Sequence, residues 1–143
     1  MKAFKISLVA VLLFIAGASM AQVSVGISIG TPPLWAPVGY SDVRYYYLPD
    51  VEAYYDVNTS MFIYLNGGNW VHARELPGPY AHYDLDHGYK VVLSGYRGET
   101  PYTHFAENRR SYGKGYHGAP QRTYREDREQ NHGNEHHDEK GRK

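Results

Sequence analysis

The sequence predicts a mainly β fold: a small antiparallel β-meander sheet with an extended N-terminal segment and a disordered C-terminal tail. Three observations carry this. Residues 45–70, YYYLPDVEAYYDVNTSMFIYLNGGNW, hold three runs rich in Tyr, Phe, Ile and Val, the residue types that fit a pleated, half-buried surface. The runs are separated by turn chemistry at Leu48-Pro49-Asp50, at residues 56–60 and at Asn66-Gly67-Gly68. Pro49 lacks the N–H that a central strand needs, and Asn66-Gly67 reaches positive φ at little cost. Third, residues 112–143 contain no Val, Ile, Leu, Met, Phe or Trp, so they have little to bury against the entropy of being ordered.

Taken in order, the chain opens with Lys2 and Lys5, continues through an apolar run over residues 6–18 and reaches Ser19-Met20-Ala21. This is the pattern of a secretory signal peptide cleaved after Ala21, and the apolar run is shorter than the roughly 20 residues of a transmembrane helix. Residues 1–21 are therefore set apart from the fold. Residues 22–42 read as a strand and a proline-rich linker. Val23, Val25, Ile27 and Ile29 alternate, whereas Pro32, Pro33 and Pro37 around Leu34 and Trp35 favour an extended connector over a docked edge strand.

Residues 43–98 read as the β-rich domain. Alternation sets Met61, Ile63 and Leu65 on one face and Phe62 and Tyr64 on the other. Carried across Asn66-Gly67-Gly68, it adds Val71 and Ala73 to the first set and Trp70, His72 and Arg74 to the second. Val51, Ala53 and Tyr55 share a face opposite Glu52, Tyr54 and Asp56. Leu76-Pro77-Gly78-Pro79 stops the meander, and Tyr89, Val91 and Leu93 then alternate with Lys90, Val92 and Ser94 in a last strand closed by Gly95 and Gly98. Residues 99–111 are irregular or a short helix starting near Pro101. Residues 112–143 form the disordered, His- and charge-rich tail.

Composition narrows the function classes. The chain has 15 basic and 15 acidic side chains, and losing Lys2 and Lys5 with the leader tips the balance to the acidic side. No attraction to nucleic acid follows. There is no cysteine, so neither disulfides nor a lipidated cysteine anchor holds the mature chain, which also has no transmembrane segment. One small domain held by core burial is the expectation.

The run YYYLPD at residues 45–50, Tyr54-Tyr55-Asp56, the Tyr64…Gly68…Trp70 hairpin and the closing Leu76-Pro77 together resemble a group of small exported proteins of Gram-negative bacteria, marked by a Y-Y-Y-x-P, Y-Y-D, Y-x-x-x-G-x-W, L-P order. The resemblance spans residues 45–93. It implies an exported, β-rich protein, secreted or periplasmic, and brings no catalytic residue with it.

Tyrosine is the unusual residue, 15 of 143. An aromatic ring with a hydroxyl stacks on sugars and peptides at low rotamer cost, and Tyr54, Phe62, Tyr64 and Trp70 are the candidate contact face. Cross-strand aromatic pairing in a thin sheet is the competing explanation. His132, His136 and His137 in HGNEHHDE offer imidazole and carboxylate to a divalent metal, on composition alone. Asp84, Asp86 and Gly88 fail as a calcium loop, since Gly88 stands where a third oxygen ligand belongs, and read as a turn. Asp50, Glu52 and Asp56 are candidate carboxylates and His72, His82 and His87 candidate bases, yet no nucleophile sits in a triad setting. The expected function is a small binding or structural module of the cell envelope, without a cofactor, contacting glycan, peptide or protein. A metal-handling exported protein and a carboxylate-dependent hydrolase are the alternatives.

Overall fold

The computed structural model describes residues 30–140, and of residues 133–140 the backbone alone. Five antiparallel strands form one sheet: β1 Tyr45–Leu48, β2 Ala53–Asp56, β3 Met61–Asn66, β4 Asn69–Ala73 and β5 Val91–Leu93, in the order β4-β3-β2-β1-β5. The first four are the expected meander. β5 crosses back to pair with the free side of β1, setting Tyr45 against Leu93 and Tyr47 against Val91. The leader and, up to residue 29, the strand assigned to residues 22–30 lie outside the described residues.

Turn chemistry fixes the hairpins. Pro49–Val51 makes one 3-10 turn with proline at its start, and Glu52, at φ 50, returns the chain to β2 while its N–H donates to Pro49 O at 3.2 Å. Between β3 and β4 only Gly67 and Gly68 are unpaired, at φ 57 and 85, with Asn66 opposite Asn69. A two-residue loop with two positive φ values matches the strand twist. It also corrects the face assignment beyond it. Leu65 is opposite Trp70 and Ile63 opposite His72, while Tyr64 is opposite Val71 and Phe62 opposite Ala73. Trp70 and His72 thus belong with Ile63, because a loop of two residues shifts the parity that a three-residue turn would have kept.

Both sheet faces are covered. On one, Tyr46, Leu48, Ala53, Tyr55 and Phe62 are buried beneath Trp35, Ala36, Tyr80, Tyr83 and Tyr124. On the other, Tyr45, Tyr47, Tyr54, Ile63 and Val91 are buried beneath Tyr102, Phe105, Tyr112 and Tyr116. The second cover is a 3-10 turn, Pro101–His104, running into helix α1, Phe105–Ser111, as the short helical segment at residues 99–111 anticipates. Asn108 of α1 is buried and donates to the Tyr54 hydroxyl at 3.0 Å.

Two boundaries move. Residues 34–37 are a packed cover and not a bare linker: Ala36 is fully buried, and the Trp35 ring lies edge-on to Tyr55 at 4.8 Å and stacks toward Phe62 at 6.4 Å. The start of the free tail at Tyr112 is likewise too early. Thr123 is buried and bridges Pro37, and helix α2, Tyr124–Lys140, begins there. Thr123 and Glu126 make a capping box, with Glu126 Oε2 accepting from the Thr123 N–H at 2.7 Å and Thr123 Oγ1 accepting from the Glu126 N–H at 3.3 Å. The N–H groups of Tyr124 and Arg125 donate to Ala36 O and Leu34 O at 3.0 and 2.8 Å, so first-turn donors that lack helical partners are satisfied by the 34–36 segment. Farther on, Arg128, Glu129, Gln130, Asn131 and His132 are exposed, in keeping with a solvated, charge-rich end.

Candidate binding groove

The four aromatic residues expected to form one contact face are divided between two. Tyr54 and Trp70 stand on the α1 side, Phe62 and Tyr64 on the opposite side. Tyr54 is fully buried and Phe62 nearly so. Trp70 is half-buried, stacked on Tyr102 at 5.0 Å and edge-on to Phe105 at 4.9 Å, so it fastens β4 to the helical cover. The single exposed face is therefore corrected: these rings are mainly core, since a sheet with few aliphatic side chains closes itself with cross-strand aromatic pairs such as Tyr47 and Tyr54, 5.1 Å apart.

The candidate carboxylates are dispersed as structural ties. Asp50 accepts from the Tyr83 hydroxyl at 3.0 Å and from the Gly115 N–H at 2.8 Å. Glu52 pairs with Arg109 of α1 at 2.7 Å. Asp56 accepts from the Asn58 N–H at 2.9 Å and faces Arg44 at 3.9 Å. His72 and His82 are exposed. Asp84 closes a turn by accepting from the N–H groups of Asp86 and His87 at 3.0 and 3.1 Å. The His87 ring lies 2.7 Å from its carboxylate, which raises the imidazole pKa and lowers that of Asp84. Of the metal candidates, His132 is exposed in α2, whereas the side chains of His136 and His137 lie outside the described residues. Among the described residues no three His, Asp or Glu side chains gather to hold a metal.

A different constellation lies along the outer edge of β5. Two open hollows of about 170 and about 220 Å³ meet there, sharing Tyr89, Lys90 and Gln121. Tyr40, Tyr112, Tyr116 and Val92 line the first, and Asp86, His87, His117 and Glu126 the second. Each is smaller than an enclosed small-molecule pocket of roughly 300–1,000 Å³. Together they make a shallow, continuous groove with an aromatic end and a polar end. Tyr40 is 48% exposed. Tyr116 is edge-on to both Tyr89, at 5.3 Å, and Tyr112, at 5.0 Å, so the aromatic wall is held by its own ring contacts. Gly118 lets that wall close, because any Cβ there would meet the Tyr89 hydroxyl.

At the junction is Lys90, only 1% exposed. Its Nζ donates to Asp86 O at 3.0 Å and sits 6.0 Å over the Trp35 ring. Burial pushes the amine down to about 8, against the opposing pull of Asp86, Asp84 and Glu126. The Lys90 backbone is held by the Gln121 carboxamide: Oε1 accepts from the Lys90 N–H at 3.0 Å, and Nε2 donates to Lys90 O at 2.7 Å. Arg125 pairs with Asp86 at 2.9 Å and joins α2 to this end of the groove. Sequence reasoning missed Tyr40, Tyr89, Lys90, Tyr112, Tyr116 and Gln121, though one cue was present: three tyrosines, at 112, 116 and 124, lie in a segment otherwise without large apolar residues.

No protein-family model, curated protein or solved structure matches this chain.

Proposed function

We propose that this chain is an exported binding module of the cell envelope, and that its contact surface is the groove beside β5. One observation carries the reading: half-buried Tyr89, Tyr112 and Tyr116 and exposed Tyr40 line a continuous open groove instead of being sealed into the core with Tyr45, Tyr46, Tyr47 and Tyr54. Ring faces and hydroxyls together suit a polymer with alternating apolar and hydrogen-bonding surfaces. The leader pattern of residues 1–21 and the resemblance of residues 45–93 to small exported proteins support the compartment. Among the described residues no helix is long and apolar enough to cross a membrane. Asp50, Glu52, Asp56 and the Asp84–His87 pair serve as structural ties, which favours binding over hydrolysis.

The test is retention of solubilised envelope glycan and peptide fragments on immobilised mature protein, wild type beside Tyr40→Ala. Tyr40 is exposed enough to be removed without disturbing the core. Retention by the wild type with a several-fold loss in the variant is the expected result. Equal retention by both proteins, or none by either, would remove the groove as the contact surface.

A further inference from the structure

We propose that the outer edge of β5 docks an extended peptide, which hydrogen-bonds the open peptide groups of Val92 and exchanges with the Gln121 carboxamide at Lys90. This rests on the groove being the contact surface and names its ligand class.

The ladder fixes which backbone groups are open. The Val57 N–H donates to Arg44 O at 2.9 Å, so Arg44, Tyr46 and Leu48 direct their peptide groups toward β2, and Tyr45 and Tyr47 direct theirs toward β5. In the β1–β5 register Val91 and Leu93 answer Tyr47 and Tyr45. Lys90 and Val92 must then point their N–H and C=O groups away from the sheet. At Lys90 both are taken by Gln121, a side-chain amide making the same donor and acceptor pair that a neighbouring strand would make. At Val92, one pleat further on, neither group has a partner among the described residues.

An amide already occupies the first position of a missing strand, and the second position is open. The aromatic hollow is lined by Val92, Tyr40, Tyr112 and Tyr116, so side chains of an added strand meet rings where its backbone meets Val92. Strand addition works by this division, with main-chain bonds for affinity and flanking pockets for specificity. A glycan stacks on tyrosines without needing a paired N–H and C=O two residues along from one already held by a Gln side chain. Gln121 holds only by its own two bonds and lies on a surface segment, so an incoming peptide group replaces like with like.

The experiment uses the mature protein, isotope-labelled, with three probes: a capped pentapeptide, Thr-Val-Tyr-Val-Thr; the same peptide N-methylated at its central residues; and a neutral β-linked tetrasaccharide. Expected for the unmodified peptide are shifts of the Lys90 and Val92 amides and slower hydrogen exchange at both. N-methylation should weaken binding by about tenfold or more through loss of backbone pairing. Gln121→Ala, which removes the internal competitor, should tighten binding several-fold. Equal binding of the methylated peptide, or weaker binding to Gln121→Ala, would overturn strand addition. A tetrasaccharide that moves the tyrosine rings while the peptide leaves Val92 unmoved would also overturn it, yet leave the groove as a contact surface. Loss of the Tyr40→Ala effect in the retention assay would defeat that wider reading itself.

Discussion

At the scale of single residues, Gly67 and Trp70 lie three positions apart and do different work. Gly67 has φ 57, and a Cβ built there meets nothing within 4 Å. A larger residue is therefore opposed by its own backbone and not by neighbours. Gly67→Val should cost more than about 1 kcal/mol, because a β-branched residue is poorly tolerated at positive φ, while Gly67→Asn should cost less. Trp70 is opposed by nothing in its backbone and owes its place to Tyr54, Tyr102 and Phe105. Being half-buried, Trp70→Ala should cost about 2–3 kcal/mol, below the 3–5 of a fully buried aromatic residue. Denaturant melts of the three variants check both values. Hydrogen exchange separates the causes, since Trp70→Ala should loosen α1 and Gly67→Val should loosen the β3–β4 ladder. A Trp70→Ala protein as stable as wild type would mean that the ring does not fasten the cover.

At the scale of elements, the strands and the short helical segment at residues 99–111 were legible, whereas the covers from residues 34–37 and from the stretch after Tyr112 were not. Strand runs and turn residues in 45–73 state their period locally, so β1 to β4 can be read directly. The parity of β4 could not be, because Asn66-Gly67-Gly68 admits two loop lengths and one residue reverses every later side chain. The start of the tail was placed too early, at Tyr112, for another reason. Counting aliphatic residues ignores what Tyr112, Tyr116 and Tyr124 bury, and it ignores backbone pairing such as Val38 N–H to Arg122 O at 2.9 Å. The Thr123…Glu126 capping box was the one local sign of a helix start there. Two truncations separate these contributions. Ending the chain after Ser111 removes Tyr112, Tyr116, Gln121 and Tyr124 and should lower the Tm by more than about 10 °C, since each 1 kcal/mol lost shifts a small domain by about 4–8 °C. Ending it after Asn131 keeps the Thr123…Glu126 capping box and the first turns of α2, and should leave the Tm nearly unchanged. Equal melting of both shortened chains and the full one would return the segment after Tyr112 to a free tail.

At the scale of the whole molecule, scarcity of aliphatic residues is answered with tyrosine, and this gives the stability a particular dependence on pH. The candidate groove was illegible in the sequence for the same reason: when rings serve both as core and as surface, only the fold separates Tyr54 from Tyr40. Tyr45, Tyr46, Tyr47 and Tyr83 all have phenols raised above their ordinary 10.0, first by burial, with neighbouring acidic groups or phenols adding to it. Lys90 is shifted the other way, from 10.5 to about 8, by its own burial. The signs follow from proton binding. Between about pH 8 and pH 10 the unfolded chain keeps the Lys90 proton that the folded chain has released, so the unfolded state binds more protons and stability rises with pH. The gain is at most on the order of 3 kcal/mol. Above about pH 10 the unfolded tyrosines ionise while the buried ones stay neutral, the folded state binds more protons, and stability falls. Urea melts from about pH 7 to about pH 11 should therefore pass through a maximum between about pH 9 and pH 10, where the several unfolded phenols begin to outweigh the one amine. Lys90→Met should abolish the rise and keep the fall, because it removes the desolvated amine and leaves the phenols in place. A wild-type profile that falls steadily from pH 8 would mean that Lys90 is solvated and not buried over the Trp35 ring as described.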